Sequence, residues 1–326
     1  MNPPTISQVR EAAERIAPLV HLTPVLTNKT INRLSGAVLF FKAENFQKVG
    51  AFKARGAVNA VFSLYDLDAK QGVATHSSGN HAAALAYAAG CRRVKAYVVM
   101  PENAPPVKKS AVADYGAEII YCKPTQEARE ETLARVVKET GAVFIHPYND
   151  YRVIGGQATA ALELLQQVSG LDAVVAPVGG GGLLSGTALA VKALNPGIKV
   201  FGAEPEMADD ASRSLQAGQI IPVKNPATIA DGLRTSLGEL TFPIIQKHVT
   251  GILTVSEEAI ISSMRLVWER MKIIIEPSAA VPLAAVISYK DIFVGSKTGL
   301  ILSGGNVDLD SLPWSNADTH KLSNNP

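Results

Sequence analysis

Four consecutive glycines, Gly179, Gly180, Gly181 and Gly182, follow an apolar run at residues 173–178 and precede a helical-period stretch at 183–194. Bare backbone amides at the start of a helix cradle an anion, so this segment predicts a phosphate site. Its spacing carries no nucleotide signature. No register gives glycine at the first, third and sixth positions, and the Gly-Lys-Ser/Thr ending of a Walker loop is missing. Upstream, Lys53 sits among small and apolar residues in Gly50-Ala51-Phe52-Lys53-Ala54-Arg55-Gly56-Ala57, at an apparent helix start. Desolvation there favours the free amine that an imine requires. Alone, such a lysine reads as a solvated helix-start residue; joined to a phosphate cradle, it is a candidate cofactor anchor.

Three further clusters complete the set. His76-Ser77-Ser78-Gly79-Asn80-His81 closes one apolar run and opens a helix, which is where ligands bind in open α/β sheets. Its hydroxyls and free helix amides suit a carboxylate, whereas a capping serine explains only part of the cluster. Ser303-Gly304-Gly305-Asn306 closes another apolar run, so the Ser303 hydroxyl would point into the same crevice. Glu204 and Asp210, with a carbonyl between them, suit a hard divalent cation, although spacing alone favours a solvated acidic loop.

These groups need a scaffold that gathers strand ends. Short apolar runs bounded by turn residues alternate with longer helical-period segments, the pattern of parallel sheets covered by helices, so the fold class is α/β. Strands are predicted at residues 39–42, 73–76, 96–100, 119–122, 143–146, 173–178, 200–204 and 300–303. Helices are predicted at 54–64, 81–89, 127–139, 155–167, 183–194 and 257–272, the last with acids at its start and bases near its end, as the helix dipole favours. No repeat, low-complexity tract or Pro/Ser-rich linker divides the chain, so two domains would have to be interleaved. Residues 72–146 read as a compact four-strand unit, and the polar tail after Leu312 is expected to be loose.

Composition narrows the function. With 326 residues, 47% of them hydrophobic, the chain supplies an ample core. Its net charge of +2 comes from 31 basic and 29 acidic residues spread along the chain, so no nucleic-acid footprint is visible. Cys91 and Cys122 form no CxxC pair, which argues against a disulfide framework and a zinc site and for a reducing compartment. Residues 1–7 lack a basic segment followed by an apolar one, so a cytoplasmic location is expected. Residues 173–191 are uncharged and mostly apolar, but Pro177 and the glycines would leave backbone groups unpaired in lipid; they read as a buried strand, turn and helix, with no membrane partner.

From His21-Leu22-Thr23-Pro24-Val25-Leu26 through the Lys53, Ser77 and tetraglycine segments to Asn306-Val307-Asp308-Leu309, the chain resembles the fold-type II pyridoxal-phosphate enzymes, which are tryptophan synthase β-like, with two interleaved open twisted α/β domains. Within them it is similar to the serine racemases and the serine/threonine and 3-hydroxyaspartate ammonia-lyases. The resemblance implies a large cofactor-binding domain, residues 1–71 and 147–326, and a small mobile domain, 72–146, that closes over substrate. Lys53 would hold the cofactor and act as base on one face, with Phe52 in the cofactor-binding set. Asn80 would bond the 3-hydroxyl, Gly179 to Gly182 with Leu183 the phosphate, and Ser303 the pyridine nitrogen. Ser77, Ser78, Asn80 and His81 would grip the substrate carboxylate, Ser78 would move a proton on the face opposite Lys53, and Arg129 matches a mobile small-domain arginine.

The same resemblance implies a Mg, Mn or Ca site at Glu204, Asp210 and the Ala208 carbonyl, and a homodimer. Animal members bind ATP between subunits partly through hydroxyl side chains where this chain carries Asn28 and Lys29, so ATP regulation is not carried over. The implied activity is racemisation of serine and loss of ammonia from L-serine or L-threonine, giving D-serine or pyruvate. An alternative is L-threo-3-hydroxyaspartate ammonia-lyase, which needs a cation for the extra carboxylate, from Arg129 or His81. β-Replacement, and cofactor carriage without catalysis, share fewer of these features.

Overall fold

The computed structural model describes residues 2–314; most of the tail expected to be loose lies outside them. Ten strands are found among the described residues: Val25–Leu26 (β1), Val38–Ala43 (β2), Val73–His76 (β3), Ala96–Pro101 (β4), Glu118–Cys122 (β5), Val143–Phe144 (β6), Ala173–Pro177 (β7), Lys199–Pro205 (β8), Gly251–Val255 (β9) and Lys297–Leu302 (β10). They form a six-stranded sheet in the order β1-β2-β10-β7-β8-β9 and a four-stranded sheet in the order β5-β4-β3-β6. β1 runs antiparallel to β2, and the other pairings are parallel. The smaller sheet is drawn wholly from one continuous stretch inside the large sheet's chain path, so β10, near the end of the described chain, pairs with β2 from near its start.

Burial accounts for which strands the sequence announces. β7 is buried along its whole length, as a central parallel strand covered on both faces must be, and its apolar run is continuous. β1 has two half-buried residues and β9 alternates in exposure, so neither offers a continuous run, and neither is predicted. β6 stops short of the predicted residue 146 because the chain turns there: His146 Nδ1 accepts the backbone N–H groups of Tyr148 and Asn149 at 3.3 and 2.9 Å. The helix predicted from 155 begins earlier, at Tyr151–Gln167, because the Asp150 carboxylate caps it by accepting the Arg152 N–H at 2.8 Å.

That helix is the axle of the large unit. A Cβ on Gly156 would lie 2.5 Å from the Arg55 carbonyl, and one on Gly186 would lie 2.7 Å from the Ala158 amide, so it touches the helices Lys53–Phe62 and Gly182–Leu194 backbone to backbone. Polar groups are buried at the first of these contacts. Arg55 is fully buried and forks onto two carboxylates, reaching Glu44 at 2.7 and 2.8 Å and Glu163 at 2.6 and 2.7 Å. Lys42, on β2, adds a bond of 2.6 Å to Glu163. Burial opposes the Arg55 charge, but the two carboxylates more than offset it and raise its pKa. Removing the guanidinium would strand buried carboxylates. Arg55→Ala is therefore expected to cost about 3–5 kcal/mol of stability, read from the denaturant midpoint, and a loss below about 1 kcal/mol would contradict this account.

Candidate active site

Lys53 begins its helix, following Phe52, whose backbone N–H bonds to the Ser303 carbonyl at 3.0 Å. That bond ties the lysine to the end of β10. The Lys53 amine donates to the Pro147 carbonyl at 2.8 Å and lies 5.2 Å from the centre of the Phe52 ring. Burial lowers its pKa to about 8, against the opposing influence of Glu276, so a larger share of the amine is uncharged near neutral pH than for a solvated lysine. The desolvation expected from the small residues around Lys53 is present.

Asn80 opens the helix Asn80–Arg92 at the end of β3, with Ser77 and Ser78 in the turn between. Its Nδ2 donates to both Glu276 oxygens at 3.1 and 3.0 Å, while its Oδ1 accepts from Asn306 at 2.9 Å. The Ser303 hydroxyl, from β10's C-terminal end, is buried without a hydrogen-bond partner. Such an orphan is costly unless a ligand completes it. Gly179, Gly180 and Gly181 link β7 to the helix beginning at Gly182 and Leu183. Gly181 has φ +87°, and a Cβ on Gly180 would strike the Tyr148 ring, so larger residues are excluded from the turn. The first-turn amides of that helix lack intrahelical partners by geometry. A buried amine shifted toward neutrality, an orphan hydroxyl and an anion cradle together fit a phosphorylated aldehyde cofactor.

One side chain differs from its sequence-based expectation. His81 is buried, and its Nε2 meets the Ile145 carbonyl at 3.2 Å; a carbonyl only accepts, so Nε2 carries the hydrogen and Nδ1 is left as an acceptor. Burial and the Lys53 charge push its pKa well below the ordinary value, so it is neutral and supplies no cation. Arg129, on the helix Gln126–Thr140, has its Nε buried without a partner while the guanidinium faces His76.

Glu204 and Asp210 do converge. Glu204 accepts the Ala211 and Ser212 amides at 3.2 and 2.6 Å, and one Asp210 oxygen is buried without a partner. Burial, joined by repulsion from Asp210, raises Glu204 to about 8 against the pull of those amides, while burial raises Asp210 to about 7. Ala208 is buried in the turn Glu206–Ala208 between them. No group of three or more His, Cys, Asp or Glu side chains among the described residues is placed to hold a metal, so any cation here would rely on two carboxylates and backbone.

Sequence reasoning misses two participants. Pro147 contributes only a carbonyl, which carries no residue signal. Glu276 is the second, and its signal was an acid directly before Pro277 at the start of an uncharged helix, Pro277–Ser288. Tyr148, in the loop after His146, lays its ring over Gly180 and its Cβ and backbone against Gly182. Among the described residues no helix is long and apolar enough to cross a membrane, in keeping with the reading of 173–191 as strand, turn and helix.

Comparison with known proteins extends these observations. The profile of the family described as pyridoxal-phosphate dependent enzyme matches residues 16–304. The chain is 53% identical to the β-hydroxyaspartate dehydratase of Paracoccus denitrificans, over 95% of this chain and 99% of that protein. It is 54% identical to the serine racemase of Dictyostelium discoideum, over 94% of this chain and 96% of that protein. Its structure superposes on the threonine deaminase of T.th. with a TM-score of 0.90 at 49% identity, covering 94% of this chain and 99% of that one.

The histidines make stability depend on pH. Burial, His76 and Lys53 lower His146 to about 4, and His81 is lower than its ordinary value too. A depressed folded-state pKa contributes stability that is complete above the unfolded value of about 6.5 and is lost as pH falls through the folded value. Stability should therefore decline between about pH 6.5 and pH 4, by on the order of 2–3 kcal/mol for His146 alone. His146→Asn should flatten that part of the denaturant-midpoint profile, and an unaltered slope would contradict the assignment.

Proposed function

The chain belongs to the pyridoxal-phosphate dependent enzyme family, and from that premise we propose that it acts on small β-hydroxy amino acids, as a serine racemase and an L-serine or L-threonine ammonia-lyase. The observation that carries this reading is the buried Lys53 amine, held by the Pro147 carbonyl beside the Asn80 amide and the orphan Ser303 hydroxyl. When bound, the cofactor spreads the negative charge left at the α-carbon after proton removal. Everything else falls to this chain's side chains. Lys53 anchors the cofactor and takes the α-proton on one face. Ser78 moves a proton on the other, which makes racemisation possible alongside elimination. Ser303, being neutral, accepts or donates at the ring nitrogen without enforcing a positive charge there, and this favours prompt loss of the β-hydroxyl. The glycine turn, with Leu183, holds the phosphate by backbone amides and the dipole of its helix.

A second substrate reading has its own support. Arg129 has a buried, unpartnered Nε, and a guanidinium in that state suits a substrate with an additional carboxylate. With His81 neutral, Arg129 is the remaining candidate for binding L-threo-3-hydroxyaspartate, and the relative from Paracoccus denitrificans is named for such a diacid. The small unit, residues 72–146, bears Ser77, Ser78, Asn80, His81 and Arg129, so its closure on the large unit would bring the carboxylate grip onto substrate. We carry over from the family a cytoplasmic homodimer, to be checked by light scattering and fractionation.

For the cation we propose Mg, Mn or Ca bound by Glu204, Asp210 and the Ala208 carbonyl, supported by two converging buried carboxylates and the unpartnered Asp210 oxygen. EDTA should then lower the melting temperature, Mg²⁺ or Ca²⁺ should restore it, and Glu204→Gln should erase the difference. An unchanged curve would leave Glu204 as a cap for the helix Asp210–Ala217 alone.

Substrates decide between the two readings. L-Serine, L-threonine and L-threo-3-hydroxyaspartate, scored for keto acid and D-amino acid, should show serine turnover in both products. Ser78→Ala should remove most racemisation, about a hundredfold or more, with elimination of the L-enantiomer largely kept. Equal loss of both would remove Ser78 from its role. A large preference for the diacid that Arg129→Met abolishes would replace serine as the substrate.

A further inference from the structure

Glu276 is a buried carboxylate at the N-cap of the helix Pro277–Ser288, 4% exposed. A buried carboxylate must be paired, and this one is paired wholly with the candidate site. Asn80 donates to both of its oxygens at 3.1 and 3.0 Å, and the Asn306 backbone amide bonds to it as well. The Asn306 side chain in turn donates to Asn80 Oδ1 at 2.9 Å and to the Val49 carbonyl at 2.7 Å. Val49 has φ 56°, a left-handed conformation costly for a β-branched residue, just before the Lys53 segment.

This ring of bonds removes an ambiguity that a lone asparagine would have. The Asn80 oxygen faces an N–H donor and its nitrogen faces a carboxylate, so the amide is held in one of its two orientations. The same carboxylate reaches the lysine's segment. A Cβ on Gly304 would lie 2.8 Å from Glu276 Oε1 and 3.2 Å from the Ala51 side chain, and Gly304 forms a bridge with Ala51. The charged groups facing Glu276 are Lys53, Asp231 of the turn Asp231–Leu233, and Lys108 of the helix Pro106–Asp114, which is itself bonded to Asp231. Lys53 is faced in addition by His81 and His146. Burial raises Glu276 to about 7, helped by Asp231 and opposed by Asn80 and Lys108, while its charge opposes the lowering of Lys53 by burial.

We propose that Glu276 is a positioning residue of the site: with Asn306 it locks the Asn80 amide, and through its charge it governs how much of the Lys53 amine is free to react. The proposal rests on Lys53 being the cofactor anchor. In that role the lysine needs an uncharged amine when the aldehyde arrives, and the asparagine needs its remaining N–H presented to the cofactor. One buried acid bears on both: it holds the asparagine, and its charge, by favouring the ammonium, sets the pH at which the amine becomes free.

The test uses the full chain, freed of pyridoxal phosphate and recombined with it between about pH 6 and pH 10, with borohydride-fixed mass on the Lys53 peptide and cofactor affinity as readouts. Glu276→Gln removes the charge but keeps an acceptor for Asn80. Its trapping midpoint should fall by on the order of one pH unit, because the anion that favoured the ammonium is gone. Asn306→Ala removes the lock but leaves the charge, so it should weaken cofactor binding about tenfold at an unshifted midpoint. A wild-type midpoint in Glu276→Gln overturns the charge role, and wild-type affinity in Asn306→Ala overturns the locking role. If Glu276→Gln fails to fold, Asn306→Ala still decides the second. Absence of any fixed mass on Lys53 in the wild-type chain would instead overturn the functional reading on which the proposal rests.

Discussion

A guanidinium with no access to water, two residues past Lys53, is the constraint on which the rest of the structure depends. Arg55 cannot shed its proton and cannot be left unpaired, so Glu44, Glu163 and, through Glu163, Lys42 must come to it. Those partners stand near the end of β2, on the turn after it and on the helix Tyr151–Gln167. The helix Lys53–Phe62 is thereby held against a strand and a second helix before any ligand enters. Directional ion pairs specify a register that apolar packing alone would leave loose.

A lysine mounted on such a helix can be desolvated without collapsing into the core. Its amine is satisfied by a single carbonyl, that of Pro147, and its charge is weakened by burial yet answered by Glu276. The parts of the crevice come from the C-terminal ends of strands in both sheets: the Ser77 to Asn80 turn after β3, the glycine turn after β7, and Ser303 after β10. Parallel strands put those ends on one side, which is the general reason open α/β sheets bind ligands there. Polar contacts join the two units, Asn80 with Glu276 and Lys108 with Asp231.

Charge is sparing throughout the crevice. His81 and His146 are neutral by burial, Ser303 is neutral by type, and the amine of Lys53 is shifted toward neutrality. Against that background an unpaired Arg129 Nε stands out, because a cation placed among neutral groups selects strongly for an anionic substrate group. On the proposed reading, the choice between a monoacid and a diacid turns on this one side chain of the smaller unit.

Much of this was legible in the residues themselves. The tetraglycine turn, the Lys53 segment and the Ser77 to Asn80 turn announced their places at strand ends and helix starts because backbone conformation depends on local sequence, and the continuous apolar runs of β7 and β10 announced central parallel strands. Edge strands β1 and β9 did not, since a half-exposed strand has no distinctive run. Only the tertiary structure decided what burial and distant partners decide: that His81 is neutral, that Glu276 from a helix more than two hundred residues after Lys53 faces its segment, and that Pro147 offers a carbonyl to the amine. Desolvation and through-space charge depend on what surrounds a group in three dimensions, and a linear order of residues carries that information only after the chain has folded.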